Sequence, residues 1–397
     1  MITRLRMGTS AVENKNIRKN RMRLSRFRRG ILSAAGLSIC TLLTSNAAIA
    51  KSAATNVSAA AAPVLLPPMH KIMLACLLPT LLGFYKSEYG VSYGYGTAMA
   101  ASSYLILDSI AQSAGLPLAF SFASAKPGAI LASLAATVNS LRALLPTSLP
   151  AFHAFAVFFY GTRLNLFLLY RELFLPRFRA MRERIEDRAK KQGSRLQRTP
   201  FLLSCTFLYF CMICPVMVTT KLCEGMSMSC VVGLGGGLSS FLASSLRLSV
   251  LFALSGYLLG AFGDLNKSIG KMLKGEDALI TGGIFRYFRH PNYTGEVIGW
   301  TSSCLAAFLA VALKAVTDSG NGFQVWKSMG GLLCLSAMGT IGISFVLGTA
   351  TAGLEFRQEE KYGDTEEYKE WVKKSWVGFN MGKQKKNEGE DDQATKE

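Results

Sequence analysis

The sequence predicts an all-α fold, a polytopic bundle of about seven to nine transmembrane helices. Half of its 397 residues are hydrophobic, only 17% are charged, and the mean hydropathy is +0.27. Several apolar runs approach the roughly 20 residues that a helix needs to span a bilayer. The formal charge of +19 comes from basic residues at the N-terminus and in the loops between these runs. Because this distribution is typical of membrane topology, we expect membrane lipids as partners and no nucleic acid.

Residues 1–50 have the composition of a targeting presequence. Their basic first part contains a single acid, Glu13, and is followed by an apolar run at 31–43 and an Ala-x-Ala site at 48–50. The long, acid-poor basic part resembles a transit peptide, so a plastid membrane is favoured, with an endoplasmic reticulum signal anchor as the alternative. Residues 51–62 are rich in alanine and serine and are predicted to be a linker.

Residues 63–150 are predicted to form divergent N-terminal membrane helices from apolar segments at 63–84, 97–123 and 128–149. Asp108 lies in the middle of the second segment, so we expect it to face a partner or a polar cavity. Four tyrosines near the first two segments favour an interfacial aromatic belt over a cavity mouth. They are Tyr85, Tyr89, Tyr93 and Tyr95.

Residues 151–376 form the predicted C-terminal membrane domain, whose first span covers 153–171. Arg163 lies inside this span. Because a charged side chain within the membrane needs a counter-charge, Asp108, Glu172 and a bound anion are its candidate partners.

The remaining spans place three polar segments on one face of the membrane. The predicted spans are 200–220, 244–262, 291–313 and 330–353. The most basic loop, 171–199, is expected to face the cytosol, or the stroma of a plastid. An even number of spans separates it from the loop 263–290 and from the residues after Gly353. All three segments therefore lie on one face, where they can share a polar site.

Three further segments are predicted to have structural roles. The glycine run 233–237 has neither the preceding strand nor the Lys-Ser/Thr ending of a phosphate-binding loop, so it is interpreted as a lead-in to a helix. Residues 354–371 form an amphipathic stretch with aromatic side chains on one side, expected to dock at the membrane surface. The polar residues 377–397 are predicted to be a disordered tail.

The cysteines predict packing rather than metal binding. Cys211 and Cys214 lie inside a span, and the chain has only three histidines, so core packing is favoured and no metal site is predicted. Cys223 and Cys230 lie in the loop opposite the basic face, where an oxidising compartment would allow a disulfide.

The stretch 278–300 is the most informative part of the chain. Its glycines interrupt regular structure, cations follow, and Pro291 stands where a helix begins. The N-terminus of a helix beside several cations suits a phosphate or another anion. Helical spacing places Asn292, Glu296 and Trp300 on one face. Because Glu296 falls just inside the apolar region, where an unpaired acid is costly, it indicates a functional site.

The residues Arg289-His290-Pro291-Asn292-Tyr293, followed by Gly295-Glu296 and Trp300, resemble the C-terminal signature of the steroid 5-alpha-reductase and sterol-reductase superfamily, including its DUF1295 branch. The resemblance covers about 155–376 in matching order. Its other elements are Tyr160 to Leu164 with Arg171, then Asp264 with Lys267, and finally Glu355, Arg357, Lys361, Tyr362 and Gly363.

The resemblance implies a helical bundle around a lipid-side substrate cavity, with NADPH bound from the cytosolic face. The implied activity is the reduction of a C=C bond in a steroid-, sterol- or isoprenoid-like substrate. Glu296 is expected to anchor Arg289 or to orient the nicotinamide amide. By resemblance, the cofactor pocket is lined by Asp264, Lys267, Arg286, Arg289, His290, Asn292, Tyr293, Glu296, Arg357, Lys361 and Tyr362.

No catalytic residue is assigned from the sequence. In the steroid reductases the groups that bind the substrate carbonyl come from the N-terminal half, which is divergent here; Tyr89, Tyr93, Tyr95 and Asp108 are candidates only.

Two other functions fit the same motif. Isoprenylcysteine carboxyl methyltransferases share a looser version of it, so a membrane methyltransferase that uses S-adenosylmethionine is one alternative. A non-catalytic lipid-binding relative is the other. Asn292, Glu296 and Trp300, together with Asp264 and Lys267, favour the reductase.

Overall fold

The computed structural model describes residues 64, 66–116, 118, 127–191, 193–228, 237–318 and 320–380. Within these ranges there is no β-strand, only an isolated bridge between Phe288 and Trp376. The α-helices are α1 Met69–Thr80, α2 Leu82–Tyr85, α3 Ser87–Val91, α4 Tyr93–Ser113, α5 Pro127–Thr147, α6 Leu149–Phe174, α7 Pro176–Lys191, α8 Thr199–Leu222, α9 Leu238–Lys274, α10 Pro291–Thr317, α11 Gly322–Tyr362 and α12 Glu366–Lys374. Short 3-10 helices occupy Arg195–Arg198 and Gly283–Arg286.

The predicted all-α polytopic bundle is confirmed. Among the described residues five helices are long and apolar enough to cross a membrane: α6, α8 with the 3-10 helix before it, α9, α10 and α11. The apolar stretch Met69–Tyr85 is shorter. The number of seven to nine spans therefore stays a prediction for the N-terminal part of the chain.

Helix α8 is the central helix of the bundle. It is apolar on all sides, and 72% of its most apolar window is buried. It contacts α1, α4, α6, α10 and α11. Cys211 and Cys214 are buried on it in the hydrophobic core, which confirms the predicted packing role.

The predicted helix boundaries are most accurate where a local signal exists. Helix α10 begins at Pro291 as predicted, because proline at the first helical position loses no intrahelical hydrogen bond. The segment predicted at 97–123 instead starts at Tyr93, and its helix ends at Ser113. Helix α9 has 37 residues, about 55 Å at 1.5 Å per residue, against a hydrocarbon core of about 30 Å. It therefore projects well beyond the membrane.

Helices α9 and α10 are in direct backbone contact along a line of glycines. A Cβ atom built on Gly256 would lie 2.5 Å from the Gly299 nitrogen and 2.6 Å from the Gly295 oxygen. Gly260 and Gly263 of α9 also face the backbone of α10, at Asn292. Only glycine permits this approach, which resembles the small-residue packing of membrane helix pairs.

One end of the bundle, called the polar end here, gathers the C-terminal ends of α6, α9 and α11, the start of α10, and α7 and α12. Arg177 and Lys361 both bind the Asp277 carboxylate, at 3.0 and 2.6 Å. The backbone N–H of Arg289 donates to the Trp376 carbonyl at 2.9 Å. These contacts confirm that the three polar segments share one face.

The expected membrane-surface docking of residues 354–371 is wrong. Helix α11 continues unbroken to Tyr362, and the aromatic side chains of α12, Tyr368 and Trp371, are buried against the loop before α10. The Trp371 indole donates to the Phe285 carbonyl at 2.6 Å. A protein surface, rather than lipid, covers this aromatic face.

Several predictions fall on residues outside those the structure describes. They are the presequence 1–50, the linker 51–62, Gly233 to Gly236, Cys230 with its disulfide, and residues 381–397.

A buried histidine joins three of the spans. Nδ1 of His153 on α6 lies 2.9 Å from the Thr219 hydroxyl of α8, and its Nε2 lies 2.8 Å from the Ser303 hydroxyl of α10. The Thr219 hydroxyl also donates to the Val216 carbonyl, so it accepts from Nδ1–H, and Nε2 accepts from Ser303. This neutral imidazole stabilises the relative positions of the three helices.

We expect His153→Phe to lower the free energy of unfolding by about 1–3 kcal/mol, because two buried hydroxyls lose their partner. The measurement is unfolding of the purified protein in mixed detergent micelles. His70→Phe, the same change at an exposed position of α1, is the control. Equal stability of the two variants would contradict the role assigned to His153.

Candidate functional site

Three charged side chains form an ion cluster inside the bundle, called the buried ion cluster here. Arg163 of α6 binds Asp264 of α9 at 2.8 Å and Glu296 of α10 at 3.4 Å. Their side chains are 10%, 13% and 9% exposed. Charges at such depth persist when they are paired and hydrogen-bonded.

The glycine contact between α9 and α10 positions this cluster. Gly260 and Asp264 are one turn apart on α9, and Glu296 follows Gly295 on α10. A Cβ on Gly260 would lie 2.9 Å from Nη2 of Arg163. The missing side chain therefore leaves space for the guanidinium to reach both acids.

The structure corrects the predicted partners of Arg163. Neither Asp108 nor Glu172 is its counter-charge. Asp108 accepts a hydrogen bond from Gln112 at 2.6 Å on an exposed part of α4. Glu172 binds Arg182 at 2.9 Å. The partner of Asp108, the acid in the middle of the predicted 97–123 segment, is therefore a residue of its own helix.

A chain of phenol hydroxyls leads from the buried ion cluster into the apolar core. The Tyr160 hydroxyl lies 2.7 Å from Glu296 and 2.9 Å from the Tyr95 hydroxyl. Because a hydroxyl has one proton, Tyr160 donates to the carboxylate and accepts from Tyr95. The Tyr257 and Trp300 rings pack against Tyr160, with centroids 4.7 and 5.3 Å away.

The polar atoms of two of these aromatic residues are poorly satisfied. Within the described chain, the Tyr257 hydroxyl and the Trp300 Nε1 make no hydrogen bond of acceptable geometry. Ser303 and Tyr95, respectively, are their polar neighbours. Both residues are almost fully buried. The core around Tyr160 therefore has unused hydrogen-bonding capacity.

Three cations at the polar end form a second feature, called the cation group: Arg171, Lys267 and Arg357. Lys267 is close enough to interact electrostatically with the other two and with Asp264. Tyr293 interacts with Arg171 and Arg357. In the described part of the chain no carboxylate lies within 4.0 Å of any of these three charges. Such a group is suited to binding an anion.

The family of this chain follows from its match to the family model described as "Protein of unknown function (DUF1295)", over residues 128–375. The chain belongs to the DUF1295 family. No curated protein and no solved structure matches it. The DUF1295 match includes the buried ion cluster, Tyr160 and the cation group, whereas Tyr95 precedes it.

Two of the predicted phosphate ligands of this DUF1295 protein already have an acidic partner. Arg289 Nη1 lies 2.5 Å from one oxygen of Glu355, and His290 Nε2 lies 2.6 Å from the other. Glu296 therefore does not anchor Arg289, so the first of its two expected roles is wrong, and orientation of the nicotinamide amide stays a prediction. Instead, Glu355 ties the start of α10 to α11.

The other predicted ligands lie at different depths of the polar end. Lys361 and Tyr362 contact the exposed Asp277, the second through the Asp277 carbonyl at 2.6 Å. Hydrogen bonds from Lys361 and Arg177 lower the pKa of Asp277 to about 2. Arg286 is exposed, whereas Asn292 is half-buried beside Gly263 and Gly260 of α9. Of the eleven predicted ligands, Glu296 and Asp264 belong to the buried ion cluster, and Lys267 and Arg357 belong to the cation group; the shared cofactor pocket stays a prediction.

Most of the four tyrosines that were predicted to form an aromatic belt make hydrogen bonds inside this protein instead. Tyr89 and Tyr93 donate hydrogen bonds to Glu172, the second at 2.7 Å. Their rings flank the buried Arg182 guanidinium, each with its centroid 4.9 Å from Cζ. Only Tyr85 is exposed as a belt requires. The belt interpretation is therefore wrong for the other three. Tyr89 and Tyr93 attach α7 and the end of α6 to α3 and α4, and Tyr95 hydrogen-bonds to Tyr160 of α6.

Proposed function

We propose that this DUF1295 protein is an NADPH-dependent membrane oxidoreductase that reduces a C=C bond of a lipid-like substrate. The observation that supports the proposal is the position of the cation group, which has no described carboxylate within 4.0 Å, beside the buried ion cluster and its tyrosines. A group suited to binding an anion therefore lies beside a chain of hydroxyls that could carry a proton into the apolar region. The five candidate spans around them favour a lipid-like substrate over a polar one.

The donor set suits a phosphorylated dinucleotide. Arg171, Lys267 and Arg357 would hold phosphate oxygens, because guanidinium forks match phosphate geometry and an ammonium adds a point charge. Asp264 would accept from ribose hydroxyls, with Arg163 restraining its position. NADPH supplies a hydride when it is bound. Arg289 is left out of the proposed set because one of its nitrogens already pairs with Glu355.

The tyrosine chain would deliver the proton that completes the reduction. Addition of a hydride and a proton across a C=C bond requires an acid near the α-carbon or the activating carbonyl. Tyr95 is the inner end of the chain, and its hydroxyl would donate to an enone oxygen. With both hydroxyls reoriented, Tyr160 would then pass its proton to Tyr95 and regain one from Glu296, after this carboxylate has taken up a proton from water at the polar end. Arg163 holds Glu296 in place throughout.

Thermal stabilisation by nucleotides tests the proposal. We expect NADPH at about 100 times its Kd to stabilise the detergent-solubilised protein by about 2.7 kcal/mol, and S-adenosylmethionine or its demethylated product to have no effect. Lys267→Gln should weaken NADPH binding about 10- to 100-fold, because one charge-assisted contact is lost. Lys369→Gln, at an exposed position of α12, is the matched control.

The alternatives give different outcomes. Stabilisation by S-adenosylmethionine alone would indicate a methyltransferase. Stabilisation by neither nucleotide would indicate a non-catalytic lipid-binding protein. Either result overturns the proposal, as would equal NADPH affinity in the Lys267 and Lys369 variants.

A further inference from the structure

Helix α7 has three distinct sides. Phe178, Arg182 and Glu186 recur at every fourth position and form the buried side. At about 100° per residue, the two acids of the exposed surface, Glu183 and Asp187, lie on one flank of that buried side. The opposite flank carries no acid. It is called the basic flank here and consists of Arg177, Met181, Arg184, Arg188 and Lys191.

The orientation of α7 is fixed by ion pairs on its buried side. Arg182 binds Glu172 at 2.9 Å, and Arg198 binds Glu186 at 3.1 Å. The Ser87 backbone N–H also donates to Glu186, at 2.8 Å. Because these contacts come from α3, α6 and the 3-10 helix before α8, α7 cannot rotate without breaking them. The basic flank therefore turns away from α3, α6 and the 3-10 helix. Its first cation, Arg177, pairs with Asp277 at the polar end, at 3.0 Å.

The last three cations of the basic flank have no acidic partner. In the described ranges no carboxylate lies within 4.0 Å of the charged groups of Arg184, Arg188 or Lys191, whereas Lys190, on the other flank, binds Asp187 at 3.3 Å. All three are exposed. The flank therefore presents net positive charge.

The position of α7 favours a membrane surface as the partner of this charge. One residue separates α7 from the end of the α6 span, and the 3-10 helix before the α8 span follows soon after it. Large apolar side chains are exposed at both ends of α7: Phe174 is 67% exposed and Leu196 is 77% exposed. A basic helix between apolar contacts is typical of an interfacial segment.

We propose that the basic flank of α7 lies against the bilayer and binds anionic lipid headgroups. The partner is the phosphate-bearing, negatively charged surface of the leaflet, with Met181 at its apolar edge. The inference does not depend on the reaction proposed above, since none of these residues belongs to the cation group.

The test compares nanodiscs of phosphatidylcholine alone with nanodiscs that contain phosphatidylglycerol. The wild-type midpoint of thermal unfolding should rise by several degrees when the anionic lipid is present, and the rise should fall with added salt. The variant R184Q/R188Q/K191Q should match the wild type in phosphatidylcholine and lose most of the rise. K369Q/K373Q/K374Q is the matched control: it removes three exposed lysines from α12, where acids accompany them, and should keep the rise.

Native mass spectrometry of lipids retained by the two variants provides a second measurement, with fewer anionic lipids expected on the α7 variant only. If both variants lost the same amount of anionic lipid, the effect would come from overall charge, and the proposal would be overturned. It is also overturned if soluble polyglutamate stabilises the protein through the basic flank while phosphatidylglycerol does not, because the partner would then be an acidic protein.

Discussion

Replacing Arg163 with methionine is expected to lower the free energy of unfolding by about 3–5 kcal/mol, one of the two largest effects considered for this protein. The change leaves Asp264 and Glu296 as buried carboxylates. No other cation lies within 4.0 Å of either one in the described residues. Denaturant unfolding in mixed micelles measures the loss.

A rescue experiment separates lost charge pairing from lost packing. The triple variant R163M/E296Q/D264N removes the two unpaired charges as well, so we expect it to recover most of the stability, although Tyr160 would then donate to an amide oxygen. Arg179→Met, at an exposed position of α7, should change stability by less than about 0.5 kcal/mol. A triple variant no more stable than R163M would show that the guanidinium acts mainly by filling space.

Sequence reasoning succeeded where a feature depends on nearby residues. Pro291 marks the start of α10, and the apolar runs mark the five spans, because capping and hydrophobic length are local properties. The polar end was also predictable, since an even number of spans returns the chain to one face. Glu296 was identified as part of a site because an acid inside an apolar run requires a partner.

The identity of the partners could not be predicted in the same way. Arg163 binds an acid 101 positions later, and Arg289 binds one 66 positions later. Both pairs depend on which helix faces meet, and this information is absent from charge patterns along the chain. The link between Tyr95 and Tyr160 was missed for a related reason. Tyr95 was one of several candidates and Tyr160 was part of the family resemblance, and only packing shows that their hydroxyls are joined.

Replacing Gly256 with alanine is expected to lower the free energy of unfolding by about 1–3 kcal/mol, although alanine normally favours a helix by up to about 1 kcal/mol over glycine. The added methyl group would lie within 2.6 Å of backbone atoms of Gly295 and Gly299, which cannot rotate away as a flexible side chain can. Helices α9 and α10 must separate to accept it.

The same change at Gly331 of α11 is the matched control for this steric argument. Apart from the adjacent backbone of its own helix, no atom of the described residues lies within 4 Å of a Cβ built there, so Gly331→Ala should be neutral or stabilising. Because Asp264 lies two turns beyond Gly256 on α9, separation of the helices should also draw it away from Arg163 and weaken the proposed NADPH binding in Gly256→Ala alone. If Gly256→Ala and Gly331→Ala changed the stability in the same direction, close backbone contact would not explain the packing of α9 against α10.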